Sequence, residues 1–216
     1  QKHVLSMRVA ALPLSALVTT YSQTDQATVT RGRVARRGLC GDVFLVATPQ
    51  GARVEDVKVE PSVRRWQISF DAALQLEPGV DYALRARILD GGREVAVFTS
   101  RAFTSRELQN GRFRFTADWH PDKLWDVHTP QNMYTLELSL LGPGGRALDT
   151  FWPSRFGFRE FWIEGRDFYL NGSRFFCINV PFENANRGPY EATYEATRET
   201  LSCLKRMGIN TVFTHY

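Results

Sequence analysis

Six segments between residues 53 and 141 alternate apolar and polar side chains with period two: Val54–Val59, Arg65–Phe70, Tyr82–Leu89, Glu94–Ser100, Gly111–Ala117 and Met133–Leu141. Successive side chains of a strand point to opposite faces, so this pattern predicts strands with one buried and one wet face. Trp66, Ile68 and Phe70 are expected on one face, as are Tyr82, Leu84, Ala86 and Ile88, and Tyr134, Leu136, Leu138 and Leu140. Turn residues punctuate the series at Glu77-Pro78-Gly79, Asp90-Gly91-Gly92 and Gly142-Pro143-Gly144-Gly145. A helix-based architecture is incompatible with so long a period-two register.

Short alternating strands at regular spacing predict a mainly β fold, an immunoglobulin-like β-sandwich. Ahead of it, Val4–Val9 and Asp42–Ala47 read as two further strands, with an irregular stretch from Ala10 to Gln26. After it, FGFREFWIEGRDFYLNGSRFFCINV (Phe156–Val180) reads as strand, turn, strand, turn, strand. Its second turn is Asn171-Gly172, a pair suited to the positive φ angles of a type I′ hairpin. The last strand, Phe175–Val180, is almost continuously apolar, as in a parallel sheet buried on both faces. A helix over Tyr190–Met207 follows, with Tyr194, Thr197, Leu201 and Leu204 on one stripe and Gly208 as its stop. Ile209–His215 returns to strand. Strand, helix, strand is a βαβ unit. A parallel sheet of two strands has too little core to stand alone, so the sheet is expected to belong to a larger protein.

Composition narrows the function classes. A hydrophobic fraction of 43% and a charged fraction of 23% are those of a water-soluble globular chain. No run approaches the ~18 apolar residues that span a bilayer, and no membrane partner is expected. The net charge of +4 comes mainly from arginine. The basic run Arg31–Arg37 lacks interleaved aromatic residues, so no nucleic acid is expected either. Cys40, Cys177 and Cys203 have neither CxxC nor metal-ligand spacing, and no metal or cofactor is predicted.

Several motifs, in order, resemble glycoside hydrolase family 2, the β-galactosidases, β-glucuronidases and β-mannosidases. Arg37-Gly-Leu-Cys-Gly-Asp-Val-Phe-Leu45 is similar to the last strand of that family's N-terminal sugar-binding sandwich. Val54-Glu-Asp-Val-Lys-Val59 resembles the strand opening its central sandwich. Leu124-Trp125 with Pro130 and Met133-Tyr134 resembles its W…P…LY signature. Phe156-Gly157-Phe158-Arg159 matches the GFR junction, and Phe168-Tyr-Leu-Asn-Gly172 the FxLNG hairpin. Lys205–Val212 and His215-Tyr216 resemble the first barrel helix and second barrel strand. The resemblance implies three parts: residues 1–48, closing strands of a jelly-roll sandwich; 49–158, the immunoglobulin-like sandwich; 159–216, a hairpin and the first βαβ unit of a (β/α)₈ barrel.

It also implies hydrolysis of a β-glycoside or oligosaccharide with retention. Retention needs two carboxyls ~5–5.5 Å apart, one as nucleophile and one as acid/base. In the family both glutamates come from later barrel strands, so no catalytic residue is expected here and the chain should be inactive by itself. Asn179 and Glu183 fall near the family's GVNxHE segment, and His215 near its RxSHYP segment; these three are the expected substrate-binding residues. The plainer reading of Asn179 is an amide that satisfies loop backbone groups, and of His215 a neutral histidine inside the barrel. Glu191, Glu195 and Glu199, four apart, read as a solvated helix face. His120 and His128 read as structural, and Trp119, Trp125, Trp152 and Trp162 mostly as packing residues. Association into a homo-oligomer is compatible with this reading. The competing expectation is a non-catalytic β-sandwich module that binds carbohydrate or protein.

Overall fold

The computed structural model describes residues 4–10, 43–182 and 193–214. It divides into two compact units, Val46–Phe176 and Gln1–Leu45 with Cys177–Tyr216.

The first unit is a sandwich. One sheet has the order β1 (Arg53–Ser62), β2 (Gln67–Gln75), β5 (Arg112–Asp118). The other has the order β4 (Arg93–Thr99), β3 (Ala83–Asp90), β6 (Tyr134–Leu141), β7 (Ala147–Thr150), with β8 (Ser154–Phe156) also on β6. All pairs within both sheets are antiparallel. The alternation of β3 and β6 puts Leu84, Ala86 and Ile88 beside Leu140, Leu138 and Leu136 in register. These six residues face Ile68, Phe70 and Ala72 of β2, and all nine are no more than 1% exposed. Burying a large apolar side chain contributes about 1.5–3 kcal/mol, so this double layer is a large part of the drive to fold. The central strand β2 also buries Ser69, whose hydroxyl meets that of Thr116 at 2.7 Å on β5. The pairing meets the requirement that a buried hydroxyl be satisfied.

Several sequence expectations need correction. Trp66 is not in a strand: it ends the β1–β2 turn at φ 53°. Its ring stacks on His120 with centroids 3.6 Å apart and lies 6.3 Å from Phe158. Those ring contacts hold a conformation that is costly for a bulky residue. Residues 4–10 and 43–49 form no strand, and Leu45 is 99% exposed. Alternation alone does not make a strand, which needs a ladder partner, and none pairs with them among the described residues. Finally, β7 and β8 escaped the sequence reading because four- and three-residue edge strands show too little periodicity.

The hairpin β9 (Phe161–Glu164), β10 (Asp167–Leu170), β11 (Ser173–Phe175) forms its own antiparallel sheet within the first unit. The strand expected over Phe175–Val180 is therefore split. Phe175 ends β11 against Phe168, whereas β12 (Asn179–Pro181) pairs in parallel with β13 (Thr211–Phe213). A continuous apolar run cannot mark where a chain leaves one ladder and enters another.

The second unit contains β12, helix α1 (Tyr194–Arg206) and β13. Thr193 caps the helix by accepting from the Ala196 amide at 3.3 Å. Glu195 lies in the first turn and Lys205 and Arg206 in the last, both favourable to the helix dipole. No residue of α1 is buried. Of the apolar stripe, Tyr194 is 71% and Leu201 40% exposed, while Thr197 and Leu204 are half-buried.

Candidate functional site

Of the three expected substrate-binding residues, Glu183 and His215 lie outside the described residues. Asn179 opens β12 as an exposed residue, opposite Thr211 in the parallel register. The start of this parallel pair is fixed by Asn210, which the sequence reading did not single out. Its side-chain oxygen accepts from the Ile178 amide at 2.8 Å and from the Thr211 hydroxyl at 2.9 Å. Ile178 in turn accepts from the Asn210 and Thr211 amides. These bonds set the strand register from which Asn179 projects. Among the described residues no group of three His, Cys, Asp or Glu side chains could hold a metal ion. No described helix is long and apolar enough to cross a membrane.

A concave pocket of about 380 Å³ lies on the sandwich, lined by Asp71, Arg101, Glu107, Arg112, Phe113 and Arg114 among others. Its charges are internally matched. Arg112 donates to Asp71 at 2.9 Å and Asp56 at 3.1 Å; Arg101 pairs with Glu107 at 2.6 Å; Arg114 pairs with Glu60 at 2.6 Å. The Thr104 amide and then Arg101 hold the Glu107 carboxyl below the usual range. A ligand here would have to break existing pairs.

The most constrained polar arrangement is the junction after the sandwich, Gly157–Glu160. Phe158 is fully buried and edge-on to Trp119, with centroids 5.3 Å apart. Arg159 lies over the Trp125 ring at 4.3 Å. Glu160 turns back to the β1–β2 turn. One carboxylate oxygen accepts from the Ser62 hydroxyl at 3.0 Å and the Arg64 amide at 2.9 Å; the other accepts from the Arg64 guanidinium at 2.8 and 2.5 Å. The same guanidinium covers Trp162 of β9 at 4.6 Å. Asn171, at the hairpin turn, donates to the Trp125 carbonyl at 2.8 Å and accepts from the Glu160 amide at 3.0 Å. The sequence points to Asn171 as a turn former and as part of the FxLNG motif, and does not single out Arg64 or Glu160. Residues 96 apart leave no signal of their pairing in one sequence.

Burial pushes the Glu160 carboxyl up, but the bonds from the Arg64 side chain and backbone and from Ser62, with the guanidinium charge, outweigh it. The folded value is below the ordinary one. The stability this group contributes is therefore full above the unfolded carboxyl pKa of about 4.3 and is lost as pH falls through the lower folded value. Glu160→Gln should cost about 1.5–3 kcal/mol at pH 7, the range for hydrogen bonds to a charged group. It should also flatten the acid limb of a melting-temperature series between pH 7 and 3. An unchanged acid limb would show that Glu160 does not carry it.

Among the described residues, most of the tryptophans are packing residues, whereas His120 and His128 are both exposed. His120 stacks on Trp66, and the His128 amide closes a local turn to Asp126. Among the tryptophans Trp152 is the exposed one, at 82%. Cys177 and Cys203 are free and half-buried.

Two packed antiparallel sheets, a buried aromatic plug and a hydrogen-bonded junction into a hairpin define an immunoglobulin-like sandwich. The chain belongs to the glycosyl hydrolases family 2, whose model matches residues 52–159. Similar solved structures include a family 2 β-galacturonidase from Eisenbergiella tayi bound to glycerol, at 22% identity and TM-score 0.55. It is matched over 76% of this chain and 29% of its own. Bacteroides uniformis β-glucuronidase 3 is 27% identical with a TM-score of 0.52, over 74% of this chain and 20% of its own. Ruminococcus gnavus β-glucuronidase is 18% identical with a TM-score of 0.59, over 83% of this chain and 29% of its own. The chain thus spans less than a third of the length of these relatives. No curated protein matches it.

Proposed function

We propose that this chain is the scaffold portion of a retaining glycosidase that hydrolyses β-linked sugars. The observation that carries the reading is the order of parts: a family 2 sandwich, then a hairpin, then a strand–helix–strand with a parallel strand pair. In this reading residues 1–48 close a first sandwich, 49–158 form the middle one, and 159–216 open a (β/α)₈ barrel. Barrel active sites lie at the carboxyl ends of the strands, where Asn179, Glu183 and His215 would line one edge of the sugar pocket. Both catalytic glutamates would come from later strands, leaving the chain inactive alone. The relatives named as glucuronidases and a galacturonidase make a β-linked uronic acid the first substrate to try.

The test is hydrolysis of aryl β-glucuronide, β-galacturonide, β-galactoside and β-mannoside by this chain and by the product of the full reading frame. The expected result is no turnover by the chain, and turnover with retained anomeric configuration by the full product. Hydrolysis by the chain itself, or none by the full product on any substrate, would overturn the proposal. The pocket on the sandwich favours the second reading, a non-catalytic binding module. Its pre-paired charges weigh against that reading. Saturable shifts of Arg101 and Gln109 resonances with free sugars, from a full product without glycosidase activity, would support it.

A further inference from the structure

We infer that Asn171 is a positioning residue that locks the hairpin to the sandwich, beyond its part in the turn. Its backbone turns at φ 51° and Gly172 follows at φ 91°. The Asn171 amide still donates to the Glu160 carbonyl at 2.9 Å, continuing the β9–β10 ladder by one residue. The reciprocal bond comes from the side chain: the Asn171 Oδ1 accepts from the Glu160 amide. The side chain thus stands in for a backbone that has turned away. Its other end, Nδ2, donates to the Trp125 carbonyl in a loop of the sandwich. The Trp125 amide donates to the Phe158 carbonyl at 3.0 Å. Phe158, Trp125, Asn171 and Glu160 are therefore linked in a closed circuit around the junction.

Only a primary amide can complete that circuit. A glycine or aspartate also adopts the turn. A glycine, however, has no side-chain bonds, and an aspartate sets a carboxylate oxygen against the Trp125 carbonyl. The junction is accordingly a rigid coupling rather than a linker. Any consequence for catalysis rests on the proposed function; the coupling itself does not.

The test uses this chain with Asn171→Gly and Asn171→Asp, read by residue-resolved amide hydrogen exchange. Both variants should speed exchange in β9–β11 by on the order of tenfold, through local opening, and leave the central strands β2, β3 and β6 at wild-type rates. Wild-type protection in the hairpin of both variants would reduce Asn171 to a turn former. Equal loss throughout the sandwich would make it part of the general core. Should neither variant fold, the unmodified chain decides: the Asn171 side-chain amide protons should exchange slowly, and exchange at solvent rates would overturn the lock. No activity is read, so failure here leaves the glycosidase reading untouched.

Discussion

Truncating Phe158 to alanine is expected to destabilise the sandwich by about 3–5 kcal/mol, the range for removing a buried phenylalanine. Phe158 is fully buried at the end of the core. Its ring meets Trp119 edge-on and lies near that of Trp66. Rigid aromatic walls on two sides cannot collapse into the vacated space, which places the cost near the top of the range. Losing the ring also removes one of the ring contacts of Trp66, which sits at positive φ. Thermal unfolding should show a fall in melting temperature on the order of 10 °C. Phe158→Leu, which keeps most of the volume, should recover the larger part. A fall of only one or two degrees for the alanine variant would mean that this end of the core is loosely packed.

The residue before it should be sensitive for the opposite reason. A Cβ on Gly157 would overlap that of Trp125 and lie 2.6 Å from its Cγ. Trp125 cannot retreat: its amide and carbonyl are bonded to Phe158 and Asn171, and Arg159 covers its ring. Gly157→Ala should therefore cost at least the ~1–3 kcal/mol typical of overpacking, and should displace the 124–132 loop. Denaturant unfolding gives the size. Chemical shifts of Trp125 and Asn171 show whether the loop has moved. The paired variant Gly157→Ala/Trp125→Gly should be less impaired than the sum of the singles, because the overlap disappears with the Trp125 Cβ and its indole. Strict additivity would place the strain elsewhere. Gly142, whose added Cβ meets the flexible tip of Leu148, should tolerate alanine better.

The sandwich was legible because its signal is local and repeated. Leu84, Ala86 and Ile88, or Leu136, Leu138 and Leu140, declare a buried face through their own spacing. Glycines then mark the turns that reverse the chain. The resemblance to family 2 rested on ordered motifs from Arg37 to Tyr216, the junction and hairpin among them, and the family match covers residues 52–159. Trp66 shows the limit: period two placed it on a strand face, but its ring contacts hold it in a turn. Phe175–Val180 shows another, since one apolar run serves two ladders.

Among the candidate site residues, Asn179 was placed by motif and found on a strand, exposed, opposite Thr211. The residues that the fold does bring together, Ser62, Arg64, Trp125, Glu160 and Asn171, come from turns and loops far apart in the chain. By itself the sequence determined the longer strands of the sandwich and their buried faces, because hydrophobic periodicity is written residue by residue; the family came from the resemblance of its motifs. Only the tertiary structure decided which carboxylate meets which guanidinium and which amide closes the junction. Such contacts depend on where loops land once the core has formed, and a single chain of letters carries no record of distance between them.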